Sequence, residues 1–262
     1  MSKLAETALI LAAHGSKEVT TAAAATERLA DVIRARHIFA EVACCFWKEK
    51  PFLADFLSLV SARQVAVLPN FAGEGHFTQE ILPREMGLSG AVTEREGRKI
   101  FYCPPLGSHP GLATLVERRI EHVLHERELF REDCALIIVG HGSRKPGGAS
   151  GTAKLLAKHF QDAGFVRTQA MFLEEEPFAS QWREMAGRHH PVVILPFLIG
   201  EGAHERRDIP QIFDLPMDEW TGHEKDVVEG EENNRPLICL RGLGTPRDLA
   251  DLAVDLVQGR LG

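Results

Sequence analysis

The chain has little cysteine, no excess of positive charge and no long apolar run, and each absence excludes a class of protein. Its five cysteines are scattered through 262 residues without a C-x-x-C pair, so the sequence predicts neither a disulfide framework nor a structural zinc knuckle. A formal net charge of −7 disfavours general binding to nucleic acid or to anionic membranes, which requires a basic face. No window approaches the roughly 20 apolar residues of a membrane span. We therefore expect a cytoplasmic protein without a nucleic-acid or membrane partner.

Motifs of several familiar enzyme classes are also missing. No G-x-x-x-x-G-K-[ST] phosphate loop occurs, so no nucleotide is expected. The segment that starts at His204 reads His-Glu-Arg-Arg-Asp rather than H-E-x-x-H, which argues against a zincin helix. The two His-Gly-Ser segments lack the G-x-S-x-G nucleophile elbow, and Ala13 and Gly140 stand where a histidine phosphatase normally has arginine. A hydrolase or phosphatase that uses His14 or His141 is therefore a weak alternative.

What the sequence does contain is an internal repeat. "TALILAA" and "CALIIVG" are continuous apolar runs typical of buried parallel strands, and His-Gly-Ser follows each. Amphipathic segments of helical character come next, from about Val19 to Arg36 and from about Ala149 to Ala163. Further along, "QVAVLPNFAGEGH" corresponds to "PVVILPFLIGEGAH". We predict an α/β fold of two duplicated domains, residues 1–128 and 129–262, each with a parallel sheet flanked by helices.

The two repeats differ mainly by an insertion in the second. Residues 217–235 are polar, acidic and without periodicity. We interpret this segment as a solvated surface loop rather than a functional lid, because most such segments are surface connections.

Potential metal ligands follow the strands of both repeats. Ligands of open parallel sheets bind beyond the carboxyl ends of the strands. The candidate ligands at these positions are His14, Glu49 and His76 in the first repeat and His141, Glu175 and His204 in the second. Neutral imidazole and carboxylate can hold an exchangeable transition-metal ion.

Other interpretations of these residues stay open. Glu49 and Glu175 are surrounded by charged neighbours, so a solvated charged turn explains them equally well. Glu74 and Glu201, inside the Gly-Glu-Gly triplets, compete for the same role. Basic residues flank the same loops: Lys17, Arg84, Arg144, Lys145, Arg206 and Arg207. They could bind a ligand with several carboxylates, and each is equally well explained as a solubilising loop charge.

The order of these segments resembles that of a known family. "VGHGSR", "FLEEEP" and "LPFLIGEGAHERRDIP" are similar to successive signatures of the class II, nucleotide-independent sirohydrochlorin chelatases of the cobalamin and siroheme pathways. "AAHGSK" and "LPNFAGEGHFTQEILP" match the same signatures in the first repeat, so the resemblance covers nearly the whole chain. The G-x-H-x-x-x-D-I-P core of the last segment is its most diagnostic part.

The resemblance implies a fold, an activity and roles for residues. The fold is chelatase-like, with two domains that face each other across a cleft. The activity is insertion of a divalent metal ion, cobalt first and otherwise iron or nickel, into sirohydrochlorin or a related tetrapyrrole. The residues implied as metal ligands and proton acceptors are His14, His76, His141 and His204. The second repeat matches the signatures better, so we expect it to have the greater share of catalysis.

Two further expectations and one alternative accompany this resemblance. No Met-x-Cys-x-x-Cys segment is present, so no iron–sulfur cluster is expected. A monomer can contain the complete cleft, because duplication supplies what a half-length relative obtains by dimerising, although a homodimer stays open. The main alternative is a non-catalytic carrier of metal or tetrapyrrole with the same fold.

Overall fold

The computed structural model of the protein describes residues 3–16, 21–142, 150–199, 207–217 and 226–262. Within these ranges the chain forms two five-stranded sheets flanked by helices. The strands are β1 (Thr7–Ala13), β2 (Glu41–Phe46), β3 (Gln64–Pro69), β4 (Val92–Arg95), β5 (Arg98–Tyr102), β6 (Ala135–Gly140), β7 (Arg167–Phe172), β8 (Val192–Phe197), β9 (Val227–Glu232) and β10 (Arg235–Leu240). The helices are α1 (Thr21–Arg34), α2 (Leu82–Met86), α3 (Leu112–His125), α4 (Ser150–Asp162), α5 (Trp182–Ala186), α6 (Ile209–Ile212) and α7 (Pro246–Leu261).

The two sheets have the same topology. Their strand orders are β2-β1-β3-β5-β4 and β7-β6-β8-β10-β9, with four parallel strands and one antiparallel edge strand in each. Every residue of β1 and of β6 is buried, which explains why these central strands are continuous apolar runs. The predicted fold class of duplicated α/β domains is confirmed, and α1 and α4 lie where amphipathic helices were predicted.

The parallel register brings three strand ends to one edge of each sheet. In the first sheet Ala13 at the end of β1 lies opposite Phe46 of β2, and Ala12 lies opposite Pro69 of β3. In the second sheet Gly140 of β6 has an equivalent place beside the last residues of β7 and β8. The residues that follow these strands therefore emerge side by side, which is the arrangement predicted for the ligand-binding edge.

The chain divides into two compact units that do not coincide with the two sequence repeats. One unit contains residues 1–109 and 246–262, and the other contains residues 110–245. Helix α7 packs on α1, β3 and β5 of the first unit, whereas Arg119 of α3 donates to the Gly242 carbonyl of the second unit at 2.9 Å. The last helix of each repeat thus belongs to the compact unit that contains the sheet of the other repeat. The boundary at residues 128 and 129 stays a prediction about the repeats.

The antiparallel edge strands β4 and β9 were not predicted. Strand β9 lies in residues 217–235, and it pairs with β10 from Val227 to Glu232. The interpretation of that whole segment as a surface loop is therefore wrong for these residues, while residues 218–225 lie outside the described ranges. An edge strand with one solvated face is mostly polar, which hides it from a search for apolar runs. In the described ranges, no helix is both long and apolar enough to cross a membrane.

Candidate metal and tetrapyrrole site

The histidine that follows β1 sits in a loop whose backbone continues the sheet. Lys48 donates its backbone N–H to the His14 carbonyl at 2.9 Å, and Trp47 donates to the Ala13 carbonyl at 3.1 Å. Gly15 follows in the left-handed conformation, with φ +66°, which turns the chain sharply away from the strand. In the second repeat Glu174 donates to the His141 carbonyl at 3.0 Å. Both His-Gly turns are thus fixed by the loop that follows the neighbouring strand.

Each of these loops also brings a carboxylate to the glycine of the turn. The Ser16 backbone N–H donates to Glu49 Oε1 at 2.7 Å. A Cβ added to Gly15 would lie 2.8 Å from that same oxygen, and a Cβ on Gly142 would lie 2.9 Å from Glu175 Cγ. The predicted equivalence of Glu49 and Glu175 is visible in this geometry. Whether either carboxylate binds metal stays a prediction.

The hydrogen bonds of the histidines fix which ring nitrogen has the lone pair. His14 Nδ1 lies 2.9 Å from the Gly15 carbonyl oxygen, and His141 Nδ1 lies 3.1 Å from the Gly142 carbonyl oxygen. A carbonyl oxygen only accepts, so Nδ1 is the protonated nitrogen and Nε2 has the lone pair in the neutral ring. An Nδ1–H bound to an oxygen is the usual arrangement for a histidine that offers Nε2 to a metal ion or a proton.

The third histidine has the same arrangement with a different acceptor. His76 directly precedes a π-helix, Phe77–Ile81, and its Nδ1 lies 3.1 Å from Glu80 Oε1. Its side chain is 44% exposed. Short π-helical segments are frequent at functional sites, and the equivalent part of the second repeat is also π-helical at residues 207 and 208. His204 lies outside the described residues.

The loop that leads to His76 is held by close backbone packing. Gly107 donates its N–H to the Phe71 carbonyl at 2.8 Å, and a Cβ added to Gly107 would lie only 2.0 Å from the Ala72 carbonyl oxygen. At the start of the same loop, Asn70 Nδ2 donates to Thr26 Oγ1 at 2.9 Å inside the protein. These contacts fix the path of the chain from the end of β3 to His76.

Aromatic rings surround His14. Its imidazole centroid lies 5.1 Å from that of Trp47 and 5.3 Å from that of Phe77. Phe77 contacts Trp47 at 5.1 Å and stacks on Phe71 at 5.0 Å. We call Trp47, Phe71 and Phe77 the aromatic cluster. The repeat pattern did not predict this cluster, although Trp47 directly follows β2 and an aromatic residue at the end of an apolar run could have been noticed in the sequence.

The His-Gly turn of the second repeat has different neighbours at the equivalent edge of its own sheet. Leu173 and Leu198 stand where the first repeat has Trp47 and Phe71. Lys154 of α4 pairs with Glu175 at 2.9 Å, and its ammonium group lies 5.1 Å from the centre of the Phe172 ring. The two repeats therefore share the histidine turn and the carboxylate but differ in what surrounds them.

The remaining predicted site residues are only partly described. Arg84 is exposed and pairs with Glu85 at 2.7 Å, and Arg207 pairs with Asp208 at 2.9 Å. These pairs are with sequence neighbours, so the described contacts do not bring either arginine to a histidine. Those outside the described residues are Lys17, Arg144, Lys145, Glu201, His204 and Arg206. Within the described ranges, no group of three or more His, Cys, Asp or Glu side chains could hold a metal ion.

The cysteines do not contribute to this edge as thiolates. All five are free and buried. Burial raises the pKa of the Cys45 and Cys103 thiols to about 12, because the thiolate is costly in an apolar environment. Metal binding by these side chains at neutral pH is therefore disfavoured, and imidazole and carboxylate are the candidate ligands.

Comparison with known proteins agrees with the repeat and with the fold. The CbiX family model matches residues 8–123 and 135–259. A probable sirohydrochlorin cobaltochelatase of Halobacterium salinarum is 28% identical over 222 residues, which cover 78% of this chain and 75% of that protein. A sirohydrochlorin cobaltochelatase of Methanopyrus kandleri is 26% identical over 141 residues, which cover 49% of this chain and 97% of that protein.

A solved structure is similar to the structure of this chain. It is a multi-domain protein of Deinococcus radiodurans with structural similarity to chelatases, and it matches with a TM-score of 0.74 at 25% identity. The match covers 96% of this chain and 55% of that longer protein. Because the family model matches most of the sequence in two stretches, this chain belongs to the CbiX family.

Proposed function

We propose that this protein inserts a divalent metal ion, with cobalt as the first candidate, into sirohydrochlorin. The observation on which this rests is the His-Gly turn present in both repeats, in which Nδ1 of His14 and of His141 faces a carbonyl oxygen and Nε2 has the lone pair. Two curated relatives are named sirohydrochlorin cobaltochelatases. Cobalamin or siroheme synthesis is the corresponding metabolic context.

The reaction requires side chains of the protein that accept protons. A free tetrapyrrole has two pyrrole N–H groups, and when the divalent ion enters the ring both protons leave. The ion and the protons are conserved, so no oxidant, reductant or nucleotide takes part. A neutral imidazole can accept such a proton at Nε2, or it can hold the incoming ion there before transfer.

One Nε2 cannot hold the metal ion and accept a proton at the same time, so the reaction needs more than one histidine. His14 and His76 in the first repeat, with His141 and His204 in the second, allow some rings to hold the ion while others accept protons. Glu49 and Glu175 stand beside the turns and supply negative charge that attracts a divalent cation. Weak, open coordination suits an ion that must be released, as catalytic metal sites keep positions unfilled.

The peripheral carboxylates of the tetrapyrrole give the basic residues a role. Arg84, Arg144, Lys145, Arg206, Arg207 and Lys17 are the candidate partners. Bidentate Arg–carboxylate pairs are strong and specific, and a net charge of −7 makes such local positive charge necessary for an anionic substrate.

The test is an anaerobic insertion assay with cobalt, iron and nickel in parallel. Metal-free sirohydrochlorin is mixed with the purified protein and one metal ion, and insertion is followed as a shift of the absorption spectrum. The expected result is a rate well above that of the uncatalysed reaction, highest with cobalt. A rate equal to the protein-free reaction with all three metals would refute the proposal.

The alternative function is that of a non-catalytic carrier of metal or tetrapyrrole. The partly exposed His76 and aromatic cluster are compatible with binding alone. A carrier would bind sirohydrochlorin or cobalt without accelerating the spectral shift, so the same assay separates the two functions.

A further inference from the structure

The aromatic cluster beside His14 differs from the aromatic pairs of the protein core. Trp182 and Phe213 of the second unit stack at 5.2 Å and are fully buried, and the Trp182 indole N–H donates to the Ile212 carbonyl at 3.0 Å. Trp47 and Phe77 are only partly buried. Among the described residues, Trp47 Nε1 has no hydrogen-bond acceptor. Trp47, Phe71 and Phe77 pack against the buried core of the first unit, but unlike Trp182 they keep part of their surface exposed at the ligand-binding edge of the sheet.

From these observations we propose that Trp47 and Phe77 form the surface on which the tetrapyrrole ring stacks next to His14. This inference rests on the proposed function, since it assigns the binding of the macrocycle within that reaction. A flat conjugated ring gains offset-stacked or edge contacts with aromatic side chains, and ligand sites combine such apolar walls with a few polar groups. Here the polar group is His14, whose imidazole contacts both rings.

Lys48 extends this surface with a positive charge. Its ammonium group lies 3.6 Å from the centre of the Trp47 ring, within the range of a cation–π contact. The flexible side chain lies over the indole. When the macrocycle stacks on Trp47, the ammonium group leaves the indole and forms an ion pair with a peripheral carboxylate, and such charge-assisted hydrogen bonds are stronger than neutral ones.

The stacking surface makes the two repeats unequal. The second repeat has Leu173 and Leu198 at the positions of Trp47 and Phe71, and aliphatic side chains give no aromatic stacking. The proposed stacking surface therefore belongs to the first repeat.

The test separates tetrapyrrole binding from metal binding and from turnover. Dissociation constants of metal-free sirohydrochlorin are measured by absorption titration without metal, and KM and kcat are measured in the insertion assay. Trp47→Leu, which gives the first repeat the residue of the second, should raise both the dissociation constant and KM about tenfold, in line with other aromatic stacking contacts. Cobalt binding by equilibrium dialysis and kcat should stay within about threefold, and Trp47→Phe should restore most of the affinity.

Phe52→Leu is the matched control. Phe52 belongs to the same loop and is 39% exposed, but it makes no ring contact with the aromatic cluster among the described residues. Phe52→Leu should bind sirohydrochlorin like the wild type, and Lys48→Met should weaken binding and reduce its salt dependence. If Trp47→Leu fails to fold by circular dichroism, Phe77→Leu replaces it with the same expected tenfold loss.

Three results would overturn the inference. They are unchanged tetrapyrrole affinity in the variants of the cluster, an equal loss in Phe52→Leu, and a loss of cobalt binding and kcat without a change of KM. The last result would mean that Trp47 only orients His14. Tryptophan-dependent binding without any insertion by the wild type would refute the proposed function and leave the stacking surface supported.

Discussion

Gly15 is the residue whose substitution best tests the geometry of the His-Gly turn. An alanine there keeps φ near +66°, a left-handed conformation that costs a residue with a Cβ about 1–2 kcal/mol. The new Cβ would also lie 2.8 Å from Glu49 Oε1 and 2.9 Å from Phe46 Cβ. Glu49 can move, but Phe46 Cβ is attached to a buried strand, so overpacking adds about 1–3 kcal/mol. The expected destabilisation of Gly15→Ala is the sum, about 2–5 kcal/mol.

Gly97→Ala is the control that separates the two costs. Gly97 has φ +70° in the turn between β4 and β5, and a Cβ there would meet nothing within 4 Å. The variant pays the conformational cost alone, about 1–2 kcal/mol. Urea unfolding of both variants and the wild type gives the free energies of unfolding. A difference below about 0.5 kcal/mol between the two variants would refute the close packing of Glu49 and Phe46 around the turn.

Three other predictions concern packing and ionisation. In Gly107→Ala, the added Cβ would lie 2.0 Å from the Ala72 carbonyl oxygen, so we expect a loss of about 3 kcal/mol or more in urea unfolding together with slower metal insertion. A thiol reagent at pH 8 should detect no reactive cysteine in the native protein and five in denaturant, because all are buried; fast labelling of the native protein would contradict this. Burial favours neutral Glu232, but hydrogen bonds from Arg183 and Arg235 outweigh burial and lower its pKa. Glu232→Gln should therefore lose about 1–3 kcal/mol at pH 7, and this difference should shrink as the pH falls below about 4.3; a difference independent of pH would contradict the assignment.

The repeat and the central strands were predictable because the physical signal is local. Buried parallel strands must be apolar on both faces, and this produced the runs that became β1 and β6. The same repeat located the histidine turns and the equivalence of Glu49 with Glu175. These features depend only on residues within one strand and its following loop.

The features that were missed depend on contacts between distant segments. An amphipathic helix such as α3 or α7 can pack on either sheet, so the exchange of terminal helices between the two repeats has no signal within the helix itself. Lys154 meets Glu175 only because α4 packs beside β7. Trp47 and Phe77 are 30 positions apart in the sequence, and only the adjacency of β2, β1 and β3 joins them around His14.

The most direct test of the account is the initial rate of cobalt insertion into sirohydrochlorin by histidine variants. His14→Ala and His141→Ala each remove an imidazole that offers Nε2, and each should lower the rate at least about tenfold, with the larger loss for His141→Ala. His190→Ala is the matched control, because His190 Nδ1 also faces a carbonyl oxygen, that of Asp133 at 3.0 Å, but at the opposite edge of the sheet. Its rate should stay within about twofold of the wild type. Rates of His14→Ala and His141→Ala equal to that of His190→Ala would contradict the central claim that these histidines handle the metal ion and the protons.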